Sequence, residues 1–403
     1  MSSVNFLDKL LDGVKVEWVP LEQLIHSLKT GLNPRQNFQL NTEDADGYYV
    51  TVREIQGGKI TFLDKTDRVN SNALKLINGR STLEVGDILF SGTGTVGRTA
   101  VIEEDPLNWN IKEGVYSIKP IKERVLSKFL CYTLNSSEII KEYSKKIVGS
   151  PVISLPMGEL KKLLLPIPCP DNPKKSLEIQ AEIVRILDSF TALTSELCTE
   201  LFMRKKQLRH YYFDLLKFPC KTKYLKIGEC CDIKKGITAI KKATPGKYPL
   251  VATTEERQSS SEYQFDCSAV CVPLISSRGH GVASIDRIYY QDCKFALGNI
   301  LCAIIPNDTN FLSAKFLRHY LFDKKDVLLV PLMRGGANVS LTVDSIKGIE
   351  IPIPPLAEQQ RIVRILDKFD ELVKSLPREI ELRQKQYAYY RDLLLSFPQA
   401  QTA

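Results

Sequence analysis

Three glycines in the segment 87–105 have the spacing of a dinucleotide-binding loop. Gly92, Gly94 and Gly97 follow the pattern G-x-G-x-x-G, in which a strand leads into a tight turn and the next helix holds a pyrophosphate at its N-terminus. The residues before the glycines are strand-like, but those after Gly97 form a short β-branched run that ends at a proline. Because no helix can follow, the pattern predicts a glycine turn between two strands rather than an NAD or SAM site.

Other patterns that would indicate catalysis are absent from the sequence. It has no G-x-x-x-x-G-K-[ST] loop for ATP and no N/D-P-P-Y/F motif for methylating an amino group. Ser91 and Ser276 precede glycine turns, but neither lies in a G-x-S-x-G nucleophile elbow. The ten cysteines and four histidines lack zinc-ligand spacing. The sequence therefore predicts a protein that has neither catalysis of its own nor a metal site.

Length and charge place the chain among globular proteins of more than one domain. Its 403 residues exceed one ordinary core, so two or more domains are expected. A net charge of +8 permits a nucleic-acid partner without requiring one. The N-terminus lacks a signal-peptide pattern, and no apolar run is long enough to span a membrane. These features predict a cytoplasmic protein with reduced thiols and no membrane partner.

The strongest pattern in the chain is an internal repeat. Residues 180–219 align with residues 359–398 without a gap, and 19 of the 40 positions are identical. The preceding segments 149–168 and 335–354 also match, because both contain a glycine, a Ser-Leu pair and a P-x-P sequence. The first copy has extra residues around 171–175, which are expected to lengthen the loop there. Duplication therefore accounts for the long segments of both halves.

The glycine turn has a partner in the second half of the chain. The stretch ILFSGTGTVGRTAVI (88–102) resembles PLISSRGHGVASI (273–285), in which the three-glycine spacing is lost. A spacing that one copy can discard does not serve a dinucleotide. Both copies keep a strand, a polar glycine turn with a basic residue, and a second strand.

Both repeated segments predict long coiled-coil helices that pair with each other antiparallel. Apolar residues recur at spacings of three and four over more than four heptads. Arg204 and Arg383 interrupt the seam at the same step; they are expected either to select the register by meeting a carboxylate, Glu200 or Glu379, or to lie at a solvated flank. Pro377 is a position where the second helix can kink or break. The seam residues expected in pairing or in docking partner subunits are Ile183, Leu187, Phe190, Leu197, Leu201, Ile362, Leu366, Phe369, Leu376 and Ile380.

The segments outside the helices predict two related globular domains. Each has short β-rich runs and one helical stretch. The expected fold class is α+β, with two homologous mixed α/β domains separated by a long antiparallel two-helix coiled coil as a pseudo-two-fold internal repeat. The expected boundaries are a first domain at 1–169, a central helix at 170–219, a second domain at 220–355 and a C-terminal helix at 356–403.

This order of segments resembles the specificity subunit of Type I restriction-modification systems over nearly the whole chain. The most specific residues are IPIPPLAEQQRIVRILDKFDEL (351–372) and the copy LPIPCP…EIQAEIVRILDSF at 165–190, which lacks the compact P-P-L-x-E-Q junction. The resemblance implies that each globular domain is a target recognition domain for one half of a split site in double-stranded DNA. It also implies paired helices that fix the distance between the halves and dock two methyltransferase subunits, with restriction/translocase subunits completing the complex. SAM, ATP and Mg are then expected only on the partner subunits.

Contacts to DNA need basic side chains for phosphates and planar or amide groups for base edges. Asn338 stands where the first copy has Val152, and an asparagine there can pair with an adenine edge. The candidates are Thr93, Thr95, Arg98, Lys145 and Lys146 in the first domain, and Arg278, His280, Arg334 and Asn338 in the second. An ordinary solvated surface group is the alternative for each. Weaker candidates, in a segment that the second domain lacks, are Lys59, Arg68 and Arg80.

A second function stays open at the level of the sequence. Two β-rich modules on a coiled-coil strut can also form a protein-interaction scaffold that binds no DNA. A DNA reader differs from such a scaffold because its affinity falls steeply with salt as counterions are released.

Overall fold

The structure is a computed structural model, and it divides into two compact units. It describes residues 10–11, 13–35, 37–254, 258–278, 281–336 and 338–398. Unit 1 comprises Met1–Glu196 and Ile380–Ala403, and unit 2 comprises Leu197–Glu379. Each unit therefore contains a globular domain with the beginning of one long helix and the end of the other. Among the described residues, every helix is too short or too polar to cross a bilayer.

The globular part of unit 1 is mostly strands with short helices between them. Its strands are β1 (Val16–Pro20), β2 (Ile25–Thr30), β3 (Gly47–Val50), β4 (Ile55–Gln56), β5 (Lys59–Ile60), β6 (Arg68–Val69), β7 (Ile88–Ser91), β8 (Thr99–Val101), β9 (Trp109–Ile111), β10 (Val115–Pro120) and β11 (Leu164–Pro168). Its helices are α1 (Ser71–Arg80), α2 (Ser127–Leu134), α3 (Ser137–Ser144), α4 (Met157–Lys161) and the beginning of α5 (Pro173–Leu215), with a 3-10 turn at Leu21–Gln23.

The globular part of unit 2 follows the same plan with fewer elements. Its strands are β12 (Tyr224–Lys226), β13 (Cys231–Lys235), β14 (Tyr248–Val251), β15 (Gln258–Ser260), β16 (Phe265–Asp266), β17 (Ala269–Pro273), β18 (Tyr289–Gln291), β19 (Lys294–Leu297), β20 (Leu301–Pro306) and β21 (Glu350–Pro352). Its helices are α6 (Ile227–Cys230), α7 (Ala314–Leu328), α8 (Val343–Lys347) and the beginning of α9 (Leu356–Leu394), with 3-10 turns at Ile240–Lys242 and Val330–Leu332.

The two units share one sheet topology. The main sheet has the order β2-β10-β7-β8 in unit 1 and β13-β20-β17-β18 in unit 2, and all of its neighbours are antiparallel. A two-stranded sheet, β1-β11 or β12-β21, joins the first strand of each globular domain to the strand that precedes the long helix. Each unit also pairs two strands in parallel, β3 with β9 and β14 with β19. The internal repeat therefore extends from the sequence to the strand order.

The strand before the glycine turn is buried on both faces. In β7, Ile88 and Phe90 pack with Phe129 and Leu130 of α2, whereas Leu89 faces a second core against the smaller sheet. Successive side chains of a strand point to opposite faces, so a strand between two cores reads as a continuous apolar run. Strand β17 alternates in the same way between the two cores of unit 2.

The long helices pair within both units. In unit 1 the rings of Phe190 and Tyr390 stack with centroids 5.2 Å apart. In unit 2 the rings of Tyr211 and Phe369 lie 4.8 Å apart. The beginning of α5 thus meets the end of α9, and the end of α5 meets the beginning of α9. The prediction of an antiparallel helix pair is confirmed.

The structure corrects two local expectations for the helices: a longer loop around residues 171–175, and a break at Pro377. The extra residues of the first copy do not all lengthen a loop, because α5 already begins at Pro173. Asn172 Oδ1 accepts a hydrogen bond from the Lys175 amide, and proline fits the first helical position, so the insertion adds a helical turn. Pro377 does not end α9, which continues to Leu394.

Candidate DNA interface

In unit 1 the glycine turn is joined to a loop that follows much later in the chain. We call residues 91–98 the glycine turn and residues 148–154 the clasp loop. Thr93 and Ser154 form a β-bridge, and their hydroxyl oxygens lie 3.1 Å apart. The Gly94 amide donates to the Ile153 carbonyl at 2.9 Å, and the Leu155 amide donates to the Gly92 carbonyl at 2.8 Å. The predicted glycine turn therefore meets the loop that follows the predicted lysines Lys145 and Lys146.

Unit 2 repeats this junction. Its glycine turn is 276–284 and its clasp loop is 334–340. Ile275, next to the turn, bridges to Ser340. The Ser276 amide donates to the Val339 carbonyl at 2.9 Å, and the Leu341 amide donates to the Leu274 carbonyl at 2.8 Å. The repeat thus includes the turn and the loop together.

A glycine shapes each clasp loop. Gly149 and Gly335 have φ values of +101° and +131°, which side chains rarely adopt. A Cβ added at Gly149 would lie 2.4 Å from the Val152 carbonyl oxygen, and one at Gly335 would lie 2.3 Å from the Asn338 oxygen. The loop closes so tightly in both units that only glycine fits.

The serine at the first position of each glycine turn holds that turn closed through hydrogen bonds of its hydroxyl group. Ser91 Oγ accepts from the Arg98 amide at 2.7 Å and donates to the Thr95 carbonyl. Ser276 Oγ accepts from the amides of Arg278 and Ser284 at 3.2 and 3.0 Å. These bonds give both serines a structural role.

The predicted residues of the first glycine turn differ in their surroundings. Arg98 and Thr95 are exposed, whereas Thr93 is half-buried against the clasp loop. Arg98 NH1 donates to the Val52 carbonyl at 3.0 Å, which fixes the arginine beside the neighbouring segment. Its contact with DNA stays a prediction.

The predicted lysines of unit 1 lie beside carboxylates just before the clasp loop. Lys145 is exposed, and its Nζ lies 2.7 Å from a Glu142 oxygen. Lys146 is half-buried, with its Nζ 3.7 Å from Glu159. Lysine hydrogen bonds and charge, chiefly those of Lys162, lower the pKa of the Glu159 carboxyl. Surface pairs of this kind contribute little stability, and the contact of both lysines with DNA stays a prediction.

The predicted residues of unit 2 also lie at the turn and the clasp loop. Arg278 and Asn338 are exposed. Arg334 is exposed as well, and its NH1 donates to the carbonyls of Pro331 and Met333 at 2.6 and 3.0 Å. His280 lies outside the described residues. The roles of all four stay predictions.

A feature that we did not predict from the sequence is apolar. In the clasp loop of unit 1, Val148, Val152 and Ile153 are all exposed, and Val152 keeps 63% of its surface. Their exposure had no sequence signal beyond their place in the repeat, since the hydrophobic pattern of a short loop does not show which side chains are buried.

A buried glutamine joins each domain to its long helix. Gln180 accepts from the Leu126 amide at 2.9 Å and donates to the Arg124 carbonyl at 3.0 Å. Gln359 accepts from the Ser313 amide at 2.9 Å and donates to the carbonyls of Phe311 and Pro354. Both glutamines are fully buried. The glutamine of the repeated Q-x-x-I-V sequence is therefore a junction between helix and domain.

An aspartate about two helical turns further reinforces this junction. Asp188 accepts from Lys128 Nζ at 3.0 Å and from the Tyr132 hydroxyl. Asp367 takes the same place in unit 2, where Lys315 Nζ and His319 Nε2 lie 3.0 and 2.8 Å from its oxygens. The hydrogen bond from His319 is the main cause that lowers the pKa of Asp367 to about 2.

The predicted seam residues fall into two groups. One group is fully buried in the cores of the globular domains and consists of Ile183, Leu187, Ile362 and Leu366. The other group lies along the paired helices and consists of Phe190, Leu197, Leu201, Phe369, Leu376 and Ile380. Arg204 meets Glu200 of its own helix at 3.4 Å, and its NH1 lies 3.1 Å from the Gln207 oxygen.

The residues that the structure describes contain no group of three or more His, Cys, Asp or Glu side chains that could hold a metal ion. Every cysteine among them is a free thiol. Burial raises the pKa of the Cys131 thiol to about 11, so this thiol stays protonated at neutral pH.

A model of one protein family matches both halves of the chain. It describes the Type I restriction modification DNA specificity domain, and it matches residues 14–201 and 219–382. The chain belongs to this family. The EcoR124I/EcoR124II specificity subunit of Escherichia coli is 33% identical over 429 aligned positions, which cover 100% of this chain and 99% of that subunit. The chain is accordingly a specificity subunit of a Type I restriction-modification system, as the sequence motifs predict.

Solved structures share the fold of this specificity subunit. The Type I restriction-modification S subunit from M. genitalium has a TM-score of 0.62 at 14% identity, covering 96% of this chain and 98% of that one. A second solved chain, described under complex assembly and conformational transition of the type I R-M system, has a TM-score of 0.53 at 18% identity. The match covers 94% of this chain and 96% of that one. The predicted fold class of two homologous mixed α/β domains with a long helix pair is confirmed.

Proposed function

We propose that this specificity subunit recognises a bipartite site in double-stranded DNA, with one half read by each unit. The observation that carries the proposal is the junction of glycine turn and clasp loop, which both units build with the same bonds. Each junction displays at least one exposed arginine, Arg98 in unit 1 and Arg278 in unit 2. Basic groups bind phosphates, and side chains on pinned loops can reach base edges.

The paired helices are proposed to set the spacing of the half-sites and to dock two methyltransferase subunits. Because the seam residues are buried or half-buried, docking falls to outward-facing side chains. Met203 in unit 2 and Leu382 in unit 1 occupy equivalent repeat positions, and both are more than half exposed. Two equivalent apolar contacts fit two copies of one partner.

The docking proposal is tested by the number of methyltransferase subunits bound. Met203→Glu and Leu382→Glu should each remove one copy in native mass spectrometry, and the double variant should remove both. Gln384→Glu, at an exposed position of the same helix as Leu382, is the matched control and should retain two. Full retention by the double variant would refute docking at these positions.

The chain is proposed to act without catalysis of its own. The G-x-G-x-x-G spacing serves a turn, and Ser91 and Ser276 close that turn rather than face a substrate. SAM, ATP and Mg would bind the methyltransferase and restriction/translocase subunits. Adding SAM or ATP should leave the melting temperature of the isolated subunit unchanged, since a ligand stabilises only a protein that binds it.

A salt titration of duplex binding distinguishes the DNA reader from a protein-interaction scaffold. For a reader that contacts six or more phosphates, affinity should fall by about 10³-fold or more between 50 and 200 mM salt. A scaffold would bind duplex weakly at every salt concentration. Binding that does not depend on salt, or no binding in the complete complex, would overturn the proposed function.

A further inference from the structure

The clasp loops of the two units share a backbone but not their exposed side chains. Val148 and Arg334 occupy the same bridging position, each bonded through its backbone to the serine that ends the loop. Val152 and Asn338 occupy the position over which the glycine closes. Unit 1 therefore exposes two valines where unit 2 exposes an arginine and an asparagine.

The exposed valines are not explained by folding. Unit 2 forms the same loop with Arg334 and Asn338 at these positions, so the loop backbone does not require apolar residues there. At the next position of the loop, Val339 of unit 2 is 5% exposed, whereas its counterpart Ile153 in unit 1 is 40% exposed. The backbone bonds to the glycine turn hold the loop in this arrangement. Three exposed apolar side chains on one short loop, Val148, Val152 and Ile153, suit a contact with a partner.

The chemistry of base edges matches these two sets of side chains. In the major groove, arginine pairs with guanine, asparagine pairs with adenine, and apolar groups contact the 5-methyl group of thymine. Lys145 and Lys146 precede the clasp loop of unit 1, and Arg98 ends the adjoining turn, so cations for phosphates flank the valines.

We infer that Val148 and Val152 recognise a thymine methyl group in the half-site of unit 1, while Arg334 and Asn338 recognise purine edges in the half-site of unit 2. The inference rests on the proposed function and adds the chemistry of specificity to it. The clasp loop then has the same backbone bonds in both units, but its side chains give each unit a different base preference.

The test replaces each thymine of the bipartite target in turn by deoxyuridine, which lacks only the 5-methyl group. The target is first read from the methylated motif of the source cell, and binding is measured by fluorescence anisotropy with the full chain and its methyltransferase subunits. At one thymine of one half-site the parent should lose about fourfold in affinity, as expected for one buried methyl-sized group. The double variant Val148→Ala/Val152→Ala should bind the thymine and uracil duplexes equally.

A control separates this inference from the proposed function. Leu107→Ala, which changes an exposed leucine outside the clasp loop, should keep the fourfold difference in that half-site. If the parent prefers its target but no thymine is sensitive to the substitution, or if the sensitivity survives in the double valine variant, the inference is overturned while the function stands. If the parent does not prefer its target over a random duplex, the proposed function fails as well.

Discussion

Unit 1 and unit 2 are alike where a domain meets its helix and differ where it faces outward. Gln180 and Gln359 make equivalent buried hydrogen bonds, and Asp188 and Asp367 each accept from a lysine on a helix of the globular domain. The clasp loops, by contrast, share their backbone bonds and exchange valines for polar residues. The two units keep the same backbone bonds, and they differ in exposed side chains that the fold does not require.

The difference has a physical basis. A buried amide that loses its partner costs about 1–3 kcal/mol, so the junction tolerates little change in either unit. An exposed side chain on a pinned loop makes no such bonds, and surface substitutions usually change stability by less than about 0.5 kcal/mol. Recognition can therefore change at the loops without a loss of folding.

The largest expected effect tests whether the two junctions are equivalent. Gln180→Leu and Gln359→Leu each leave a buried amide and at least one carbonyl without a partner, so each should lower the free energy of unfolding by about 3 kcal/mol. Denaturant unfolding measures the loss. Gln360→Leu, at the exposed neighbouring position, is the matched control. A loss in Gln359→Leu no larger than in this control would show that the junction is not structural.

A smaller effect is expected at the clasp loops. Gly335→Ala and Gly149→Ala should each cost about 2 kcal/mol, because the new Cβ meets a carbonyl oxygen in a backbone conformation that favours glycine. Gly336→Ala is the control, since a Cβ there has open space. Each variant should also weaken binding to one half-site only. Equal weakening of both half-sites would contradict the assignment of one loop to each.

The two units should respond to acid in opposite directions. Burial raises the pKa of Asp87 in unit 1 to about 6, so this group adds stability at low pH that is lost as pH rises from about 4 through 6. The lowered pKa of Asp367 in unit 2, about 2, adds stability above pH 4 that is lost as pH falls toward 2.

Hydrogen exchange at several pH values, read separately for each unit, measures this contrast. Asp87→Asn should remove the change between pH 4 and 6 in unit 1, and Asp367→Asn should remove the change between pH 4 and 2 in unit 2. Identical pH profiles in the parent and its variant would refute the role given to that carboxyl.

The smallest expected effect concerns the helix seam. Arg204 is half-buried and meets a carboxylate of its own helix, so Arg204→Leu should stabilise the helix pair or leave it unchanged, by at most about 1 kcal/mol. Thermal melting measures the change, and Lys205→Leu at the exposed neighbouring position is the control. A loss of more than about 1 kcal/mol would show that Arg204 selects the register of the pair.

Local patterns in the sequence predicted the elements, but not the contacts between distant segments. The spacing of apolar residues predicted α5 and α9, and the glycine turn was placed between β7 and β8 as found. The clasp loop was not predicted to meet that turn, because Thr93 and Ser154 are 61 residues apart and no local signal connects them. The hydrogen bond from Arg98 to the Val52 carbonyl was not predicted for the same reason.

The candidate site was predictable in outline only. The repeat marked Gly149, Gly335 and the glutamine junction as shared positions, but residue type and place in the repeat alone guided the choice of DNA-binding residues. Selection by residue type included lysines such as Lys145, which lies beside Glu142, and omitted the exposed valines of the clasp loop. Exposure depends on the folded loop, so the contrast between Val152 and Asn338 emerged only with the structure.

The central proposal is that each unit reads one half-site at a set spacing along the DNA, and the most direct measurement varies that spacing. Binding of the complete complex is measured on duplexes that carry both half-sites with spacers lengthened or shortened one base pair at a time. The account predicts affinity that peaks at one spacer length and falls at least tenfold when a single base pair is added or removed. Equal affinity across all spacer lengths would contradict it.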